Sequence, residues 1–245
     1  MKICMVPVRK GSVRLARKNY LKIGRFTVLE ITLLKALLTN VFDKVYINTD
    51  DPELEEISIK LGVEFYLREK TLASSNATSD QVVLDFFENN EGDKVFWVNT
   101  VSPLQTITDI MNFVQIFEAD NLSSAVSINS NQVHAVYEDC PLNFDWKSGF
   151  ARTQDLKAVK SFNYAMMGWE RGTVKNLING QLFDSNTRLI ESSRWSSFLL
   201  KNDADMKLIR EMANVAPDQG IKSVSYTHLR AHETRHDLVC RLLLE

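Results

Sequence analysis

Short apolar runs rich in Val, Ile and Tyr alternate along this chain with longer segments whose apolar positions recur every three or four residues. That is the rhythm of a mostly parallel sheet covered by helices. The spacing predicts strands over residues 2–8, 44–49, 63–67, 95–99 and 124–128. Val28, Ile31, Leu34 and Leu38 mark a first helix. Asp51 and Pro52 open a second that Gly62 closes, with Asp as the cap, Pro in the first turn and Gly beyond the end. Thr78 or Ser79 caps a third through Val82, Val83, Phe86 and Phe87, and Thr108 a fourth through Ile110, Phe113, Ile116 and Phe117. After about Asn131 the rhythm weakens, with Pro141 and Gly149 as breakers, and it returns over 162–169 and 189–190. A last amphipathic helix starts near Asn202, with Met206, Ile209, Met212 and Ala213 on one face. The expectation is an α/β fold of three layers, a mostly parallel sheet flanked by helices, in one domain over 1–222 with an irregular arm over about 131–182.

Composition narrows the class. With 245 residues, 44% hydrophobic and 24% charged, the chain carries a sizeable core and is neither a disordered tail nor a disulfide-stapled miniprotein. Lys plus Arg (29) against Asp plus Glu (31) gives a net charge of -2, which argues against a nucleic-acid binder but leaves room for a local anion pocket. The three cysteines, Cys4, Cys140 and Cys240, show no CxxC spacing, so neither a disulfide framework nor a zinc knuckle is signalled. The first apolar run is short and followed by Arg9 and Lys10, and no run reaches the roughly 18 apolar residues of a membrane helix. A soluble, cytoplasmic protein is expected. Residues 223–245 stand apart: His228, His232 and His236 would share one helical face, but the string SVSYTHLRAHETRHDLVCRLLLE resembles translated sequencing-adapter DNA and reads as a non-native tail.

The chemistry concentrates where the first strand ends. Arg9-Lys10-Gly11-Ser12-Val13-Arg14-Leu15-Ala16-Arg17-Lys18-Asn19 brings five cations and a Gly-Ser turn directly after a buried strand. In open α/β sheets that edge holds ligands. A Gly-Ser turn lets backbone N–H groups approach phosphate oxygens, and Arg and Lys neutralise their charge. A solvated basic loop has the same composition. GxxxxGK[ST] and GxGxxG are both missing, which excludes a P-loop and a dinucleotide fingerprint.

RKGSVRLARKN resembles the signature R-x-G-S-K-x-[IL]-P-x-K-N of the cytidylyltransferases that activate nine-carbon 2-keto sugar acids, the acylneuraminate (CMP-sialic acid) synthetase family. Further matches follow in order: YINTDDPELEEIS to its second strand and turn, LREKTLASSNATSDQVV to its Arg-containing loop and helix, NTVSPLQT to its Q-P-T-S-P-L-R-T segment. The resemblance implies a nucleotide-diphospho-sugar transferase-like, Rossmann-like fold. It implies that Arg9 and Lys18 are the catalytic cations on a CTP triphosphate, with Gly11 and Ser12 wrapping it and Asn19 near the nucleoside. Arg68, Ala77 and Ser79 fall where the family reads cytosine and ribose; otherwise Arg68 is an ion-pairing residue and Ser79 a helix cap. Asn99, Ser102 and Gln105 fall where the family has Gln, Ser and Arg facing the sugar acid, and Gln105 loses a bidentate carboxylate clamp. Val13 and Ala16 replace the usual Lys and Pro.

The family's Mg²⁺-holding Asp-x-Asp is displaced. Aligned on Asp205-Met206, the metal positions hold Leu199 and Lys201, of which neither ligates Mg²⁺ and Lys201 offers one positive charge; slipping the register makes Asp203 and Asp205 the pair. Helix capping explains both aspartates equally well. The implied reaction joins CTP to a sialic-acid-like 2-keto sugar acid, giving the CMP-sugar and pyrophosphate, in a homodimer formed through the arm. The alternative is a catalytically degenerate nucleotide-binding paralogue.

Overall fold

The structure is a computed structural model and describes residues 1–11, 15, 17–147 and 149–216. Ser12, Val13, Ala16 and the tail over 223–245 with its histidine stripe therefore lie outside the described residues.

The elements in chain order are β1 (Lys2–Pro7), β2 (Lys22–Ile23), β3 (Phe26–Thr27), α1 (Val28–Thr39), β4 (Lys44–Thr49), α2 (Glu55–Leu61), β5 (Glu64–Leu67), α3 (Ser79–Asn89), β6 (Lys94–Val98), α4 (Ile107–Ala119), β7 (Ser124–Asn131), β8 (Val136–Tyr137), β9 (Cys140–Pro141), β10 (Val159–Glu170), α5 (Val174–Ile178), β11 (Arg188–Glu191) and α6 (Asp203–Val215). Seven strands form one sheet in the order β11-β7-β10-β6-β1-β4-β5. Only β10 runs antiparallel to its neighbours β6 and β7. β1 pairs parallel with both β4 and β6, so the strand order reverses beside it. The three-layer expectation holds because β1 is apolar on both faces: Cys4 and Val6 pack with Leu29, Leu33, Phe96 and Ile209 on one side, Ile3 and Met5 with Val83, Phe86, Trp169 and Leu177 on the other.

Local chemistry sets the helix ends. Thr27 and Glu30 form a reciprocal capping box at α1, and Asp51 accepts from Glu53 N before the turn into α2, which Gly62 closes at φ 65°. The fourth helix starts earlier than expected: Thr106, not Thr108, is the cap, because Asp109 three residues on returns the hydrogen bond. The irregular segment is also shorter than 131–182. β10 enters the sheet at Val159 and reaches the fully buried Trp169, so the arm is confined to about 132–158. Its alternation was obscured by a register shift between Phe162 and Met167 where Tyr164 adopts φ 53°. In the arm His134 stacks on Phe150 at 4.0 Å and meets Phe144 edge-on, while Asn143 ties Val133 and Lys157 together.

One buried cation supports the turn after β6. Lys35, inside α1, donates from Nζ to the carbonyls of Pro103 and Gln105, each at 2.7 Å. Burial pushes its pKa down from 10.5 to about 7, with Asp109 opposing. Below pH 7 folded and unfolded chains both carry the proton and the fold bears the full cost of burying it. Between about 7 and 10.5 only the unfolded chain remains protonated, so stability rises with pH through that window. Urea unfolding of the wild type relative to Lys35→Met is expected to gain on the order of 2 kcal/mol from pH 6 to pH 9; a difference independent of pH contradicts this assignment.

Candidate active site

The carboxyl ends of β1, β4 and β6 border a cleft of about 590 Å³, at the point where the strand order reverses. A shallower depression near Lys2 and Asp43 lies at the opposite ends of the strands and collects no comparable set of donors.

The cleft is assembled around strand-end carbonyls. Arg68 follows β5 and is buried; it donates from one terminal nitrogen to Asn48 O and Oδ1 at 3.1 and 3.0 Å and from the other to Val8 O at 3.0 Å. Burial pulls its pKa down, while Asp50 and Asp85 act to hold the charge. Lys10 is spent on structure, bridging Asp51 at 3.0 Å and Glu53 at 2.9 Å. Tyr20 donates to the other Asp51 oxygen at 2.6 Å. Burial alone would raise the Asp51 carboxyl, but the bonds from Tyr20 and Lys10 outweigh it and hold the pKa low. Asp51 is thus both a helix cap and the anchor that folds the first loop back on the sheet. Asn19, on the turn that carries Lys18, is buried and accepts from Thr100 at 2.9 Å.

Of the residues singled out from sequence, Arg9, Lys18, Asn19, Arg68, Ala77, Ser79 and Asn99 line the cleft. Ser79 is the first residue of α3, and the cap is Thr78, whose N–H bonds Gln81 at 3.0 Å. Gly11 is exposed and stands outside the lining. The segment after β6 divides: Asn99 faces the cleft and accepts from Val101 N, whereas Ser102 donates to Ser196 O and is buried with Gln105 beneath the turn. Two of the three residues expected to face the sugar acid, Ser102 and Gln105, are thus buried outside the cleft lining.

The wall formed by β6 and β10 was not singled out from the sequence: Trp97, Phe162, Asn163, Tyr164, Met167 and, beyond β10, Leu182. Asn163 is buried and bonds Ser127, Asn129 and Ser192, which holds the bulge and its left-handed residue Tyr164 in place. A positive φ at a bulky residue costs of the order of 1–3 kcal/mol and marks an over-determined position. Two buried side-chain nitrogens lack a hydrogen-bond partner among the described residues, Arg68 Nε and Trp97 Nε1. Both belong to residues of this cleft. A buried orphan donor costs about 1–3 kcal/mol until something accepts from it.

The residues present do not fit the Mg²⁺ that the resemblance implies. Among the described residues no Asp or Glu lines the cleft, and none form a metal-binding cluster of three or more acidic, His or Cys side chains. Asp205 Oδ2 accepts from the backbone N–H groups of Lys201 at 2.8 Å and Asn202 at 3.0 Å, and Asp203 is exposed on the first turn of α6. The slipped pair is therefore a cap and a first-turn charge, while Leu199 and Lys201 line the cleft.

No helix among the described residues is long and apolar enough to cross a membrane. The chain is 32% identical over 172 residues to a pseudaminic acid cytidylyltransferase of Campylobacter jejuni, covering 63% of this chain and 72% of that protein. It is 25% identical over 219 residues to post-translational flagellin modification protein B of Campylobacter coli, covering 84% and 92%. An N-acylneuraminate cytidylyltransferase of Streptococcus agalactiae matches at 27% over 202 residues, and there the chain spans under half (46%) of the relative's length. Among solved structures, CMP:2-keto-3-deoxy-manno-octonic acid synthetase complexed with CTP superposes with a TM-score of 0.65 at 17% identity over 87% of this chain and 98% of that one, which establishes the shared fold. The family profile described as cytidylyltransferase matches residues 3–164. With that match extending over more than half of its length, the chain belongs to the cytidylyltransferase family of nucleotidyltransferase enzymes.

Proposed function

We propose that the protein transfers the cytidylyl group of CTP to a sialic-acid-like 2-keto sugar acid, releasing pyrophosphate. The observation that carries this reading is the convergence, in one cleft of a family member, of Arg9, Lys18 and two unsatisfied buried donors at the carboxyl edge of the sheet. Relatives named for N-acylneuraminate and pseudaminic acid support an acceptor of that class. The anomeric hydroxyl attacks the α-phosphorus in line; the new P–O bond forms as the bond to the β-phosphate oxygen breaks, and the hydroxyl proton leaves to solvent. Arg9 and Lys18 neutralise the charge on the phosphates, and Ser12 and Gly11 belong to the loop beside them. Arg68 Nε and the backbone beside Ala77 and Ser79 face the base and ribose, where a donor meets the O2 and N3 acceptors of cytosine. Asn19 supports the nucleoside side through Thr100. Asn99 meets the sugar acid, with Trp97 and Tyr164 walling it. No protein nucleophile is required, since such transfers depend on positioning and charge.

The working unit is a homodimer joined through the arm. Val133, Val136, Tyr137, Leu142, Trp146 (65% exposed) and Phe150 (74%) are exposed apolar side chains gathered on the arm, the kind of patch that marks an interaction surface.

Two outcomes follow. Incubated with CTP and a panel of nonulosonic acids, the protein releases pyrophosphate with at least one acceptor, and Arg9→Ala or Lys18→Ala lowers kcat/KM by about 100-fold or more; CTP binding without release for any acceptor supports the non-catalytic paralogue instead. In sedimentation, the wild type runs as a dimer and Trp146→Glu with Phe150→Glu as a monomer, and a monomeric wild type refutes the arm's role.

A further inference from the structure

We propose that this chain neutralises its bound triphosphate with Lys201 in place of a protein-held divalent cation, a reading that rests on the nucleotide site proposed above. The cleft collects Arg9, Lys18, Arg68 and Lys201, and among the described residues no carboxylate. Mg²⁺ takes oxygen ligands in near-octahedral geometry and is held in proteins by carboxylates. A wall of four cations without one repels a dication unless the phosphates carry it in themselves.

Lys201 is exposed, and the backbone on either side of it is held at two points. Leu200 N donates to Val101 O at 2.7 Å, which joins this segment to the turn after β6. Lys201 N donates to Asp205 Oδ2 at 2.8 Å, which joins it to the first turn of α6. Asp205 is therefore consumed in capping, and Asp203, nearer in sequence, is exposed on the first turn of α6 and does not line the cleft. Asp50, beside Arg68, accepts from the Lys10 backbone N–H at 2.9 Å and does not line the cleft. An ammonium supplies charge and three donors with no coordination geometry to satisfy.

The test is calorimetric titration of CTP into the full chain, in EDTA and in Mg²⁺, for wild type, Lys201→Gln and Lys201→Arg. Wild-type affinity is expected to agree within about threefold between the two buffers. Lys201→Gln weakens CTP binding in EDTA by about tenfold, the scale of one charge-assisted phosphate contact, and Lys201→Arg restores most of it. Mn²⁺ titrated into nucleotide-free wild type and followed by electron paramagnetic resonance remains free. Binding at least tenfold tighter in Mg²⁺, an unchanged Lys201→Gln affinity, or Mn²⁺ capture without nucleotide each overturns the inference and leaves the nucleotide site standing. Absence of CTP binding in both buffers overturns the nucleotide reading, and this inference with it.

Discussion

Parallel strands that stop at a common edge leave carbonyl groups pointing past the last paired residue, and the rest of this site depends on how those groups are satisfied. Arg68 does it for two strands at once, accepting the desolvation of a guanidinium in exchange for three bonds to Val8 and Asn48. Hydrogen bonds from a charged donor contribute about 1.5–3 kcal/mol each, enough to keep such a group inside. A lysine has one ammonium and cannot span the two strand ends in this planar fork. Because the terminal nitrogens are committed to β1 and β4, Nε is left buried beside the cleft without a partner. Structure and recognition are thus divided within one side chain: its far end builds the edge and its near end remains available to a ligand.

The same division recurs around the cleft. Lys10 and Tyr20 converge on the buried Asp51, so the first loop is bent back over the sheet and Arg9 and Lys18 reach the cleft from opposite ends of it. Lys35 holds the turn after β6 from beneath, and Asp109 accepts from Ser193 and Ser196 to fix the segment that leads to Leu199. Each functional segment is a loop with its own buried polar anchor in the helical layer. Loops positioned in this way keep their side chains directed without a rigid secondary structure of their own.

That arrangement explains what the sequence made legible. The strands of the parallel core and most caps follow from alternation and from Asp, Thr and Gly at element ends, and those signals are local. Ser102 and Gln105 carry the right types for a polar pocket, yet both are buried beneath the turn, where Ser102 donates to Ser196 O and the Gln105 backbone carbonyl receives Lys35, and no local pattern encodes a partner 70 or more residues away. Trp97 and Tyr164 also line the cleft. Tyr164 lies in the bulge of β10, and a bulge breaks the period by which a strand is recognised. Thr106 was displaced in favour of Thr108 for a simpler reason: the acid three residues downstream, not proximity to the apolar run, selects the cap.

Net charge conceals the site for a related reason. Outside the cleft several cations are paired, Lys60 with Glu30, Lys94 with Glu118 and Arg152 with Asp155. Among the described residues Arg9 and Lys201 have no carboxylate within ion-pair distance, and they share the cleft with Lys18 and Arg68. A protein near neutrality overall can hold such a concentration only by balancing acids elsewhere on its surface, and the like charges repel until an anion enters. An anion of high charge, such as the triphosphate proposed above, would relieve that repulsion. With the acids placed outside, the cleft selects for the charge of its ligand before any single contact is made.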